Sequence, residues 1–188
     1  MSMYPEGAAK TISEYDYGVH CLLIYTDLTI LREFYSHYIP EQIEEKEHVV
    51  QIMPFYETED SVRQTLSKGY RGINIEKVED EEKSLIIKDS LGKYNIPKNA
   101  ETTWDANQEM VKYASRLGKR GISIMGDMGS YLFEKRMQDL IDYELYLPKR
   151  YEVNLKGICL YHYRDFDRLS EDQKQIIVNQ HEIAKEFE

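Results

Sequence analysis

The chain has 188 residues, and its 34 acidic residues outnumber its 24 Lys and Arg residues to give a formal net charge of −10. A negative field repels nucleic-acid phosphates and anionic lipid, so we expect neither nucleic acid nor a membrane as a direct partner. With two cysteines and no long apolar segment, the sequence argues against a disulfide scaffold or a membrane span and indicates a cytoplasmic protein.

The first residues of the chain differ in pattern from the rest. Residues 1–16 are polar and follow neither a helical nor a strand period, so we expect a loose N-terminal arm. Residues 17–188 are numerous enough to bury one hydrophobic core without disulfide or metal crosslinks. The sequence therefore predicts an arm followed by a single domain.

Five short apolar runs rich in Ile, Leu and Val predict strands. Their apolar residues do not alternate strictly with polar ones, which is typical of strands that are buried on both faces of a parallel sheet. The runs are Val19 to Tyr25, His48 to Met53, Ser84 to Lys88, Gly121 to Met125 and Lys156 to Tyr161.

The segments between these runs carry helix signals. Asp27 is an N-cap candidate directly after the first run, and Thr103 is expected to cap a later helix. Ser170 and Gln173 have the spacing of a capping box, before a last helix that we extend through Ile183. Alternating strands and helices predict an α/β fold of three layers, with a mainly parallel central sheet of about five or more strands flanked by helices.

Ligands of such sheets bind beyond the carboxyl ends of the strands, so the residues that follow each run are candidates for a site. These residues are aromatic and sulfur-containing with a few polar groups, which is a composition typical of pockets for small apolar molecules. The alternative is that they are ordinary strand-end residues that close the core. The candidate ligand-binding residues, with Asp127 as the polar anchor, are Tyr25, Phe55, Tyr56, Asp127, Met128, Tyr161 and His162.

A nucleotide site requires more than strands and helices in alternation. A phosphate-binding loop needs glycines, whose backbone N–H groups surround the phosphates, and a lysine. The residues Thr26 to Ile30 contain neither, and an acid stands where a phosphate would lie. Because the chain also lacks a G-x-S-x-G motif, we expect no enzyme activity. A divergent nucleotide-binding ATPase that uses Asp127 with a metal remains the alternative.

Two pairs of residues raise the question of a metal site, namely His20 with Cys21 and Cys159 with His162. Neighbouring side chains of a strand point to opposite faces, so neither pair can converge on one ion within a regular strand. We therefore expect buried free thiols and structural histidines, with no metal and no cofactor. A thiol switch between Cys21 and Cys159 stays open if their α-carbons lie within about 7 Å of each other.

Several features in chain order carry a family resemblance. A His precedes an apolar run that closes in Tyr, an acid comes before the second strand, a Tyr-Glu pair follows the fourth strand, and a His lies late in the chain. The residues concerned are Gly18 to Tyr25, Glu47, Ile122 to Gly129, Tyr143-Glu144, Gly157 to Tyr161, Phe166 and His181. From residue 17 to residue 183 the chain resembles the MEDS sensory domain, named for methanogens, methylotrophs and the dichloromethane-responsive repressor.

The resemblance implies a RecA/KaiC-like core that has no phosphate loop and serves as a sensor. It also implies binding of a small hydrocarbon-like compound and signalling through other proteins. We therefore expect a non-enzymatic sensory domain that signals through a partner such as a histidine kinase or transcription regulator, or as a homo-oligomer. A protein-interaction module that docks such a regulator through exposed tyrosines is a further alternative.

Overall fold

The structure is a computed structural model that describes residues 4–94 and 99–187. Among these residues, six strands form one sheet in which every neighbouring pair is parallel. The strands are β1 (His20–Tyr25), β2 (His48–Met53), β3 (Leu85–Ile87), β4 (Gly121–Asp127), β5 (Leu155–His162) and β6 (Ile183–Glu186). Their spatial order is β3-β2-β4-β5-β1-β6.

Helices connect the strands and precede the first one. They are α1 (Pro5–Glu14), α2 (Leu28–Pro40), α3 (Glu59–Lys68), α4 (Ser90–Tyr94), α5 (Ala100–Arg116), α6 (Gly129–Phe133), α7 (Met137–Tyr146), α8 (Tyr163–Asp167) and α9 (Glu171–Gln180). Two π-helical turns, Glu41–Glu45 and Lys77–Glu81, precede β2 and β3. Within the described ranges, no helix is long and apolar enough to cross a bilayer.

The sheet separates two hydrophobic cores. On what we call the first face, α1, α2 and α3 cover the sheet, and on the second face α5, α7 and α9 do so. Side chains alternate between the cores along each strand, so Cys21 lies in the first and Leu22 in the second. The predicted three-layer α/β fold with a parallel sheet is thereby confirmed, and the arrangement is consistent with a RecA-like fold.

The five predicted strands match β1 to β5, whereas the sequence pattern places the start of β6 in the last helix. That helix ends at Gln180, and His181 already has extended backbone angles. Ile183–Glu186 then pairs with β1, where Ile183 lies opposite Cys21. β6 has four residues, and half of its side chains are exposed to solvent. So few apolar positions do not let the sequence pattern distinguish a strand from the end of an amphipathic helix.

The expected loose arm is wrong for residues 5–14, which form α1. This helix packs on α2 and buries Ala8, Ala9 and Ile12 in the first-face core. The buried ε-ammonium group of Lys156 donates to the carbonyl of Ser13 at 3.0 Å, at the end of the helix where carbonyls lack partners. The small size of the two alanines explains why no apolar stripe is visible in the sequence.

Helix caps agree with the sequence at two of three positions. Asp27 caps α2, and Ser170 forms a reciprocal capping box with Gln173 at the start of α9. The predicted cap at Thr103 is wrong, because α5 begins at Ala100 and the side chain of Asn99 accepts the amide of Thr102 at 2.9 Å. Both Asn and Thr are good cap residues, and the sequence alone does not rank them.

Candidate functional site

The carboxyl ends of β1, β2, β4 and β5 lie along one edge of the sheet, which we call the rim. β1 and β5 are neighbours, yet the next long helices, α2 and α9, cover opposite faces. β2 and β4 are likewise neighbours, and α3 and α7 cover opposite faces. Where two neighbouring strands are followed by helices on opposite faces, a crevice opens between the helices at the carboxyl ends of the strands. Open α/β sheets bind their ligands in such crevices.

A buried hydrogen bond joins two of the rim strands. The Tyr25 hydroxyl donates to Asp127 Oδ2 at 2.6 Å, and the Gly129 amide donates to Asp127 Oδ1 at 2.8 Å. Burial raises the pKa of Asp127 to about 7, and it also raises the pKa of Tyr25. Near neutral pH, this carboxyl group therefore exchanges between its neutral and charged forms inside the protein.

Aromatic rings cover this carboxyl group from the solvent side. The ring of His162 lies 5.3 Å from that of Tyr25 and 5.4 Å from that of Tyr56, between ring centroids. Phe55 continues the series at 4.7 Å from Tyr56 and 5.7 Å from Phe133. Tyr56 is 43% exposed and Phe133 is 65% exposed, so the outer rings form an apolar surface that faces solvent.

Close packing at the turn after β4 brings the aromatic rings against the backbone. A β-carbon added to Gly129 would lie 2.7 Å from Phe55 Cδ1 and 3.0 Å from Tyr56 Cε2. Only a residue without a side chain leaves room for both rings at this position. The glycine thus lets Phe55 and Tyr56 close over the Asp127 carboxyl group.

Sequence reasoning missed Asp165 in α8. Its carboxylate accepts the Tyr56 hydroxyl at 2.5 Å, and the side chain is almost fully buried. It holds the half-exposed Tyr56 ring in place over the rim. The sequence signal is weak, because one acid among the polar residues that follow a strand has no periodicity to distinguish it.

The structure brings five of the seven candidate residues together at the rim and places two elsewhere. Met128 and Tyr161 belong to the second-face core. Tyr161 precedes His162 in β5, so alternation directs its ring to the opposite face, where its hydroxyl donates to Glu144 Oε1 at 2.6 Å. Met128 packs with Tyr131 and Leu132 in the same core. Neither residue is available to a ligand at the rim.

The cysteines do not form the thiol pair that the sequence leaves open. β1 and β5 are neighbours, with Leu22 opposite Cys159, but Cys21 lies in the first-face core and Cys159 in the second. Both thiols are free and buried. The side chains of Cys159 and His162 point to opposite faces of the sheet, as expected from the alternation of side chains along a strand. The same holds for His20 and Cys21.

The same alternation places His20 and Cys159 on one face, a combination that sequence reasoning did not test. Glu144 of α7 and His181, which follows α9, reach the same point. We call His20, Glu144, Cys159 and His181 the buried tetrad, because one potential metal-ligand atom from each lies within 4.8 Å of the others. The sequence contains a signal that could have identified this cluster, because all four residues are among those that carry the family resemblance.

The amide groups after β1 are occupied by a side chain of the protein. Asp27 Oδ1 accepts from the backbone amides of Thr29 at 2.7 Å and Ile30 at 3.1 Å. These are the first amides of α2, the groups that bind phosphate in proteins with a phosphate loop. A carboxylate therefore lies where a nucleotide phosphate would need to bind.

The chain is thus a three-layer α/β domain with a parallel sheet, consistent with a RecA-like fold, in which an acid caps the helix that follows β1. The family model of the methanogen/methylotroph, DcmR sensory domain, MEDS, matches residues 19–181. The chain belongs to this family of sensory domains. No curated protein matches the sequence.

Proposed function

We propose that this chain is a non-enzymatic sensory domain that binds a small apolar or aromatic molecule at the rim. The observation that carries the proposal is the continuous set of aromatic rings, from Phe133 through Phe55 and Tyr56 to His162, above a buried carboxyl group. Exposed apolar surface made of aromatic rings favours a small, mostly apolar ligand.

Occupied hydrogen-bonding groups favour sensing over nucleotide hydrolysis. Asp27 occupies the first amides of α2, and both oxygens of Asp127 already accept hydrogen bonds. These contacts support the sensor as the leading proposal and the divergent ATPase as the alternative.

A sensor must pass its state to another molecule. We propose a signalling partner such as a histidine kinase or transcription regulator. The family's sensory role supports this step. Exposed Phe133 and Tyr56 place the rim at the surface, where occupation by a ligand would change what a partner contacts.

The direct test is a screen of small hydrocarbons, halocarbons and aromatic alcohols that measures thermal unfolding of the full chain. A ligand that binds the folded state alone raises its apparent stability. We expect Tyr56→Ala to weaken the affinity for a confirmed ligand at least tenfold, which lowers the stabilisation by about 1.4 kcal/mol at saturation.

The matched control is Tyr70→Ala. Tyr70 is 66% exposed, and its ring stacks on His37 instead of the rim. The ligand-induced shift should be unchanged in this variant. An equal shift in Tyr56→Ala and the wild type would refute the rim as the site. Binding of ATP with magnesium that is lost in Asp127→Asn would favour the enzyme instead.

A further inference from the structure

The buried tetrad lies on the second face, away from the rim, and it joins four separate segments. His20 begins β1, Cys159 lies in β5, Glu144 lies in α7, and His181 links α9 to β6. All four side chains are nearly or fully buried. Cys159 Sγ lies 3.5 Å from His20 Nε2, and His181 Nε2 lies 3.6 Å from Glu144 Oε2.

The imidazole rings are fixed with the same nitrogen facing inward. His20 Nδ1 lies 3.1 Å from the carbonyl of Pro148, and His181 Nδ1 lies 2.7 Å from the carbonyl of Ile177. A carbonyl only accepts hydrogen bonds, so each Nδ1 carries a proton, and in the neutral ring Nε2 then presents a lone pair toward the tetrad. Metal-binding histidines are held in this way by backbone carbonyls.

Two polar atoms at the centre of the tetrad lack hydrogen-bond partners. Across the described part of the chain, Glu144 Oε2 and His181 Nε2 have none of regular geometry, although both side chains are buried. The thiol of Cys159, a weak donor, lies next to the Glu144 carboxyl group. Glu144 Oε1, in contrast, accepts a hydrogen bond from the hydroxyl of Tyr161 at 2.6 Å. A buried polar atom without a partner costs about 1–3 kcal/mol, so these two atoms require an explanation.

We propose that the buried tetrad binds a divalent transition-metal ion of the zinc class. Two ligands on one tetrahedral zinc ion lie about 3.3–3.6 Å apart, given Zn–N bonds of about 2.0 Å and Zn–S bonds of about 2.3 Å. The two measured pairs of the tetrad, at 3.5 Å and 3.6 Å, already have this spacing. The ion would supply the missing partner of Glu144 Oε2 and His181 Nε2.

Charge balance favours the same ion. One thiolate, one carboxylate and two neutral imidazoles around a dication carry no net charge, so the complex can lie in a low-dielectric core. Binding displaces the thiol proton of Cys159 and any proton on Glu144 to the solvent, and no electron is transferred. Tyr161 is a positioning residue, because its hydroxyl holds the Glu144 carboxylate from behind.

The test uses Co²⁺ as a spectroscopic substitute for zinc, added to the full chain during refolding with a thiol reductant because the tetrad is buried. We expect one equivalent of Co²⁺ to give a thiolate-to-cobalt charge-transfer band, and zinc to displace it. Cys159→Ser should abolish the band. Cys21→Ser is the matched control, since its buried thiol lies on the first face, and it should retain the band.

Two further measurements do not depend on a variant that removes a ligand. Tyr161→Phe should weaken Co²⁺ binding about 10- to 100-fold while keeping the band, as expected for a residue behind a ligand. X-ray absorption of the zinc-loaded wild type should detect one sulfur and three nitrogen or oxygen neighbours. Folded wild-type protein without a band, a band that survives in Cys159→Ser, or zinc without a sulfur neighbour would each overturn the proposal.

Discussion

The Asp127 side chain illustrates how surroundings change one residue's chemistry. Its carboxyl group accepts hydrogen bonds from Tyr25 and Gly129, both of which favour the charged form, yet burial outweighs them and raises its pKa to about 7. In the unfolded chain an aspartate has a pKa of about 3.9. The folded state therefore binds more protons than the unfolded state between these two values.

The first prediction concerns the dependence of stability on pH. Because the folded pKa of Asp127 is the higher one, its contribution makes the free energy of unfolding fall as pH rises from about 4 to about 7, by on the order of 4 kcal/mol. Asp127→Asn removes this titration and should flatten the profile across that window. Urea denaturation at a series of pH values measures it.

The control for this experiment is Asp80→Asn, which alters an exposed acid on the π-helical turn before β3. That variant should follow the wild-type profile, because it leaves the buried carboxyl group of Asp127 in place. If Asp127→Asn kept the wild-type slope as well, the buried carboxyl group would not be the source of the pH dependence.

How far the sequence predicts the site depends on side-chain direction. Five candidate residues lie together at the rim, because each comes at or just after the end of a strand, and these are Tyr25, Phe55, Tyr56, Asp127 and His162. Strand position alone does not say which face a side chain points to when every position is apolar, and Tyr161 lies in the second-face core for that reason. Met128 follows β4 and packs in the same core. The buried tetrad combines strands with helices distant in sequence, so only the folded chain brings it together.

At the level of elements, α1 is the segment in which the structure departs most from the sequence pattern. Its buried side chains are mostly small, and its fixed position depends on contacts with α2 and with Lys156 of β5. Tertiary contacts of this kind stabilise helices whose own sequence signal is weak. β6 escapes prediction for a related reason, since its hydrogen bonds to β1 define it more than its apolar residues do.

The second prediction tests whether α1 belongs to the folded domain. Ile12 is buried in the first-face core, so Ile12→Ala should lower the free energy of unfolding by about 2–4 kcal/mol. Lys10→Ala, an exposed position of the same helix, should change it by less than about 0.5 kcal/mol. Chemical denaturation compares the two variants. If Ile12→Ala were as stable as the wild type, the result would favour a loose N-terminal arm over a helix that belongs to the folded domain.

At the level of the whole molecule, the sheet has a protected centre and weaker edges. Every residue of β4 is buried, whereas β6 alternates between half-buried and exposed positions and β3 has three residues. Strands covered on both faces open only when the whole domain unfolds, and edge strands open locally at lower cost. The core of the domain is therefore the β4-β5-β1 region, which carries parts of both the rim and the buried tetrad.

The third prediction follows from this gradient. In native-state hydrogen exchange, the amides of β4 and β5 should exchange only through global unfolding, and those of β6 should exchange by an opening of lower free energy. Mass spectrometry of peptides from the two regions, corrected for intrinsic exchange rates, provides the measurement. Equal protection of β6 and β4 would contradict a weaker edge.

In this acidic chain, tyrosine hydroxyl groups are hydrogen-bond partners of carboxylates, a role that lysine and arginine often have in other proteins. At least four of the described tyrosines donate to a carboxylate, in the pairs Tyr25–Asp127, Tyr35–Glu57, Tyr56–Asp165 and Tyr161–Glu144. A phenol satisfies an acid without adding a charge that would itself need solvation. Replacement of tyrosine by phenylalanine, usually a mild substitution, therefore removes the hydrogen-bond donor of a carboxylate at each of these four positions.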